Sequence, residues 1–313
     1  MLKLLMLFVL LILSKELLAQ YPSCYYLKLS NAKVSFFEKN YPSSVVLYEQ
    51  AFKIQANAFP HDFLGAAKAN SAIGDFAKSA KYLTLALQGG LLWEQVIPDD
   101  SVWTGFKKSK YWHKIQANYK TCIAESQKKI DIAAFELFAG IHASDQLIRK
   151  SHVGLDTFFN ANIDTLFYNT TDSLNFLALR RWIDKHGFPT YPSIPYYFRI
   201  DLITTIVHAF KKNNIYWGYY QPILKTALTN GNITPQEYAM IIDIYYLDRH
   251  KTGYYNLPGR SKKRATLYNV SKVDEYRREI GLESLEDYAK MRNITLPDDY
   301  PKPPVDYYNL KCD

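Results

Sequence analysis

Residues 67–87 read AKANSAIGDFAKSAKYLTLAL, and this stretch decides the fold. Phe76, Ser79, Leu83 and Ala86 recur at intervals of three, four and three, the period of one helix face. Gly74-Asp75 interrupts the run just before Phe76 and predicts a turn between two helices. The same pattern stands 35 residues earlier, in Tyr41, Ser44, Tyr48 and Ala51. Small residues at the crossing points let antiparallel helices approach closely, and the large ones fill the gap between them. The spacing therefore predicts two helix-turn-helix copies, with helices at 25–39, 43–56, 61–73 and 77–87. The turns fall at Asn40-Tyr41-Pro42, Phe59-Pro60, Gly74-Asp75 and Gly89-Gly90.

At these residues the segment resembles the tetratricopeptide repeat family, with Gly74 where that family places its turn glycine. It departs from the family in a period one residue longer, in Ser44 and Ser79 where alanine is usual, and in lacking a tryptophan at the front of the repeat. The resemblance implies a concave groove that takes an extended peptide or a partner helix. Tyr25, Tyr26, Lys28, Phe63 and Lys68 are the candidate groove residues. Two copies are fewer than the roughly three that such arrays need for stability, so the array requires closing. Gly90 to Asn118 reads as that closure, since Trp93, Trp103, Phe106, Trp112 and Ile115 supply large apolar anchors. It resembles the incomplete final repeat of bacterial arrays of this family. Pro98-Asp99-Asp100-Ser101 would turn into a short helix with Ser101 as its cap.

Upstream, residues 1–19 read as a secretory signal peptide: Lys3 first, an apolar run from Leu4 to Leu13, then Leu17-Leu18-Ala19 before a cut at Gln20. The run is shorter than the ~20 apolar residues of a spanning helix, so the membrane is reached only if this segment stays uncleaved. Losing Lys3, Lys15 and Glu16 lowers the formal charge from +8 to +7. No basic run exceeds Lys262-Lys263-Arg264, and no nucleic-acid motif is present. A mildly basic secreted chain suits an anionic cell envelope. The expected place is periplasmic, outer-membrane-associated or secreted, and the expected partner another protein or peptide of the envelope. The 26 Tyr and 17 Phe fit the codon usage of an AT-rich genome or an aromatic binding face. Cys24, Cys122 and Cys312 lack zinc or redox spacing. In an oxidising compartment one pair can form, and sequence does not select it.

Downstream, residues 117–150 read as one or two helices, with Gly140 a candidate break, and 160–172 as a polar loop. Asn175 to Thr190, NFLALRRWIDKHGFPT, is a helix with a hard stop. Lys185 and His186 suit its C-terminal dipole, Gly187 the left-handed position after it, and Pro189 forbids continuation. Further helices follow at 201–212 and 219–230, and from Thr234-Pro235-Gln236-Glu237, where Thr caps and Pro occupies the first turn. Two short ones follow at 273–281 and 284–291, then a proline-rich tail. No period-2 alternation is present, so the expectation is all-α. The expected division is 1–19 signal peptide, 20–118 repeats with their closure, 119–150 connector, 151–292 C-terminal helical domain and 293–313 extended tail.

Residues ~137–290 are similar to a bacterial domain family of unknown function, often found in secreted proteins. The matching residues are Asp145-Gln146 with Arg149, the run Asp184 to Thr190, His208-Ala209, Asp243, and Val273 to Arg278 with Ile280-Gly281-Leu282. This chain departs from that pattern at Val207, at Ile244, at Thr252 to Tyr255, and in a missing glycine near Pro195-Tyr196. If the pattern were an active site, this copy would be a degenerate one.

The chemistry rests on Asp145, Arg149, His186, His208 and Asp243. A histidine oriented by a carboxylate does acid–base work or holds a ligand. Each residue also has a structural reading: Asp145 with Arg149 a helix ion pair, His186 a helix-end cation, His208 a core histidine. No nucleophile elbow, HExxH, P-loop or GxGxxG is present, and no two histidines stand at a metal-ligand spacing on one helix, so no metal or cofactor is expected. The expected function is a protein–protein interaction scaffold. The alternative is an enzyme or ligand-binding domain using His208 and Asp243. It requires His186 or His208 within reach of Asp145 or Asp243.

Overall fold

The computed structural model describes residues 23–55, 58–96, 101–151, 161–195, 198–212, 214–257 and 266–309. The signal segment 1–19, the turn 98–100, the Arg149 side chain and Cys312 lie outside what is described. The fold is all-α: among the described residues, strand is confined to Thr252–Gly253 and Thr266–Leu267. The chain divides into two compact units, Met1–Ala124 with Gly253–Asp313, and Glu125–Thr252. The second is thus inserted between two parts of the first.

The first unit begins with α1 over 23–37. It continues through α2 (Tyr41–Ile54), α3 (Pro60–Ala72) and α4 (Phe76–Gln88). The 35-residue repeat is visible atom by atom. Ser44 Oγ donates to Ala32 O at 2.8 Å, and Ser79 Oγ donates to Ala67 O at 2.9 Å. Asn40 caps α2 by accepting from Ser43 N–H, as Asp75 caps α4 by accepting from Lys78 N–H. The turn before each cap needs a left-handed residue, Lys39 at φ 63° and Gly74 at φ 80°. Ser44, Ser79, Ala51 and Ala86 are all buried. A serine at the helix crossing is therefore small enough for close approach and ties the two helices of its pair together.

After α4 come α5 (Trp93–Val96), a short 3-10 turn at Ser101–Trp103, α6 (Thr104–Lys107) and α7 (Lys110–Gln127). Trp103, Phe106 and Trp112 are buried in a shared aromatic nest against Phe76. These tryptophans therefore pack under the last repeat rather than presenting a stacking face.

The other end of the array is closed from far along the chain. α13 (Val273–Glu279) and α14 (Leu285–Arg292) belong to the first unit, not to a C-terminal domain over 151–292. Ser23 Oγ and Ser30 Oγ of α1 donate to Glu279 O and Gly281 O at 2.8 and 2.9 Å. Gly281 has φ 82°, and a Cβ there would overlap Tyr26. Arg277 is fully buried, donating to Glu283 O and Tyr255 O at 2.7 Å each and stacking over Tyr288 at 4.9 Å. The proline-rich tail is pinned down: Tyr307 Oη donates to Leu282 O and Tyr308 Oη to Asp287 Oδ2. Cys24 is disulfide-bonded and Cys122 is a buried free thiol.

The second unit holds α8 (Ile132–Ser151), α9 (Ala161–His186), α10 (Phe198–Lys212), α11 (Asn214–Thr229) and α12 (Pro235–His250). α10 is its axis and packs against the other four. That follows from its composition, since Leu202, Ile203, Ile206, Val207, Ala209 and Phe210 are all buried. α8 runs straight through Gly140, with space for a Cβ there, so Gly140 is not a break. The break falls at 128–131, where Asp131 Oδ1 accepts from Ala134 N–H. The polar stretch expected as a loop over 160–172 is helix from Ala161 onward. The reason is that Asp172 and Asn175 point inward and are buried, so the apolar period that marks a helix is missing there. α9 ends at His186 and α12 opens on a capping box of Thr234 and Glu237, both as the sequence predicts.

Candidate functional site

Three helices of the second unit bring titratable groups to one point. Asp145 comes from α8, Asp172 from α9 and His208 from α10, and one ligand atom from each lies within 4.8 Å of the others. His208 Nδ1 is 3.4 Å from Asp145 Oδ1 and 3.7 Å from Asp172 Oδ1. Both carboxylates are buried, whereas 23% of the His208 side chain is exposed. The site thus has two walled donors and one that reaches solvent.

A polar seam extends from this point along the same helices. One turn before Asp145, His142 Nδ1 sits 2.8 Å from Asp201 Oδ1. Asp201 lies two turns before His208 on α10. On the α9 side, Ser144 Oγ donates to Asn175 Oδ1 at 2.9 Å. Polar groups therefore pair across α8, α9 and α10. The buried members, Asp145, Asp172, Asn175 and Asp201, carry a desolvation cost that only pairing or a ligand offsets.

The structure sorts the expected residues. Asp145 and His208 meet. His186 does not join them: it is exposed at the end of α9 and stacks on Trp182 at 4.1 Å. With Leu137, Arg181 and Lys185 it lines a shallow depression of about 290 Å³. Asp243 is buried in α12 and is not one of the three clustered residues. Asp172 was missed by sequence reasoning because it lay in the stretch read as a loop. Once α9 is extended back to Ala161, Asp172 and Asn175 share a face, and that was the available signal.

In the repeat unit, Tyr25 and Tyr26 prove to be core residues at 0% and 3% exposure, not groove residues. Tyr25 Oη donates to Asp62 Oδ2, and burial followed by the Asp62 charge raises its ionisation well above the ordinary tyrosine value. Residues 279–283 cover this face of α1, which the helix pattern alone left open. Phe63 and Lys68 are half-buried. Phe63 belongs to an aromatic row with Phe52 and Tyr82, at ring distances of 5.0 and 6.4 Å. A separate groove of about 640 Å³ runs between α13 and the tail, lined by Val270, Asp274, Arg278, Pro301, Pro304 and Tyr307. Burial holds the Asp274 carboxyl above the usual range, against the hydrogen bond from Tyr300 Oη.

No family model, curated protein or solved structure matches this chain.

Proposed function

We propose that this protein is a secreted or envelope-associated helical-repeat protein acting as a protein–protein interaction scaffold, of tetratricopeptide type. The observation that carries this reading is the repeated serine bond, Ser44 to Ala32 and Ser79 to Ala67, on two stacked helix pairs. Stacked pairs of this kind present a continuous helical surface suited to a peptide or partner helix. The half-buried row of Phe52 and Phe63 is the part of that surface with recognisable anchors, and Lys68, also half-buried, is a further candidate on α3. The signal-peptide pattern of residues 1–19 supports the envelope location.

The test is co-purification from native envelopes, with the full chain as bait beside Phe63→Glu and Lys68→Glu variants. A partner retained by the parent chain and by His208→Gln, but lost from the Phe63 and Lys68 variants, supports the scaffold. Capture that is the same for all four baits, or no capture at all, overturns it. A fragment beginning at residue 120 is a poor control, since residues 253–313 belong to the repeat unit.

A second reading is favoured by one observation, His208 standing 3.4 Å from Asp145 and 3.7 Å from Asp172. On this reading the inserted unit is a ligand-binding or catalytic domain. His208 is its solvent-reaching group, and the two carboxylates orient and charge-balance it.

A further inference from the structure

We propose that Asp145, Asp172 and His208 form a site for a divalent transition-metal cation. The proposal narrows the second reading above and is independent of the scaffold. The geometry is the first argument. Zinc-type cations bind nitrogen and carboxylate oxygen at about 2.0–2.2 Å, so two neighbouring ligand atoms on a tetrahedral ion stand ~3.4 Å apart. His208 Nδ1 stands 3.4 Å from Asp145 Oδ1 and 3.7 Å from Asp172 Oδ1. A charge-assisted N–H···O bond would draw such a pair to about 2.7–2.9 Å. The separations suit an ion shared by three donors better than direct bonds between them.

The placement is the second argument. The donors come from three different helices, so the packing of α8, α9 and α10 holds them in place before any ion arrives. Both aspartates are buried, and His208 alone faces outward. Among the described residues the site has three protein ligands with one open side, the arrangement of a site that exchanges water or a substrate group, whereas purely structural zinc sites are closed by four. One imidazole and two carboxylates are a borderline-hard donor set. It suits Zn²⁺ or Mn²⁺, and the absence of thiolate and thioether disfavours Cu⁺. Ser144–Asn175 and His142–Asp201 pair elsewhere along the same helices and are not among the three donors.

The experiment is calorimetric titration of the chelator-stripped full chain with Zn²⁺ and, separately, Mn²⁺. Asp145→Asn, Asp172→Asn, His208→Gln and His142→Gln variants are run in parallel. The expected result is one equivalent of at least one ion, with affinity lowered tenfold or more in each of the first three variants and little changed in His142→Gln. A rise in melting temperature with that ion, seen in the parent and lost in the three variants, confirms that the folded site is what binds. Asn and Gln preserve shape, and far-ultraviolet dichroism of each variant without metal reports its fold. If a variant unfolds, the parent titration and the remaining variants still decide. Failure of the parent to bind either ion overturns the proposal. So does binding that persists in folded variants, which would mark attachment at other histidines. Neither result would touch the co-purification outcome.

Discussion

Several buried tyrosines should set an alkaline limit for this protein. Tyr25, Tyr48 and Tyr220 are buried, and burial raises each phenol above its ordinary value, with Asp62 adding to the effect at Tyr25 and Tyr48. A phenol whose folded value is raised contributes its stability in full below the unfolded value of about 10, and loses it as pH rises beyond that. We therefore expect stability to fall above about pH 10. Phenolate absorbance should appear for these residues only as helical dichroism is lost, in one cooperative step. A smooth ionisation of all 26 tyrosines with the helices intact would show that their burial is not maintained in solution. At this same scale, His208 was visible in the sequence as a histidine on an apolar helix. Asp172 was not, because what singles it out is its neighbours in space, drawn from 27 and 36 residues away.

Among the elements, α12 shows how a local signal is reused by packing. Thr234 Oγ1 accepts from Glu237 N–H, and Glu237 Oε2 accepts from Thr234 N–H. The same carboxylate grips Arg199 of α10 through Nε and Nη2 at 3.1 and 3.0 Å. Arg199 is 3% exposed, and its Nη2 also donates to Asn232 O at 2.8 Å. Thr234→Ala removes one cap and should cost about 1 kcal/mol. Glu237→Ala removes the reciprocal cap and also strands a buried guanidinium, so about 3–5 kcal/mol is expected. Denaturant unfolding of the two variants measures the difference. Equal losses would mean that the ion pair with Arg199 contributes nothing. The cap was legible as Thr-Pro-Gln-Glu; the clamp to α10 was not, because Arg199 and Glu237 share no helix and no period.

The whole molecule is governed by how the short repeat array is closed. Two helix pairs leave an apolar face at each end, and isolated pairs do not bury enough surface to stand alone. Residues 93–96 and 101–124 close one end by continuing the chain. The other is closed by α13, α14 and the tail, brought back after the inserted second unit. Gly281 is the tightest point of that closure. Gly281→Ala places a methyl against Tyr26 and forces an alanine to φ 82°, so a loss of about 2 kcal/mol or more is expected. Native-state hydrogen exchange should show α1 and 273–292 losing protection together, while α10 keeps its own. If α1 alone kept full protection, the closure would be a contact of little weight.

Much of this was written in the chain. The helical period, the caps at Asn40, Asp75, Thr234 and Ser284, the stop after His186 and the 35-residue repeat are all local. Each depends on residues within one or two turns, and backbone hydrogen bonding and capping act over that range. Tertiary structure alone decided three things. It put 273–292 on the repeats rather than in a C-terminal domain, and it turned Tyr25 and Tyr26 from a groove into a core. It also gathered Asp145, Asp172 and His208 at one point. All three depend on which helix faces meet, and helices select their partners by burying complementary surface, which no local spacing records.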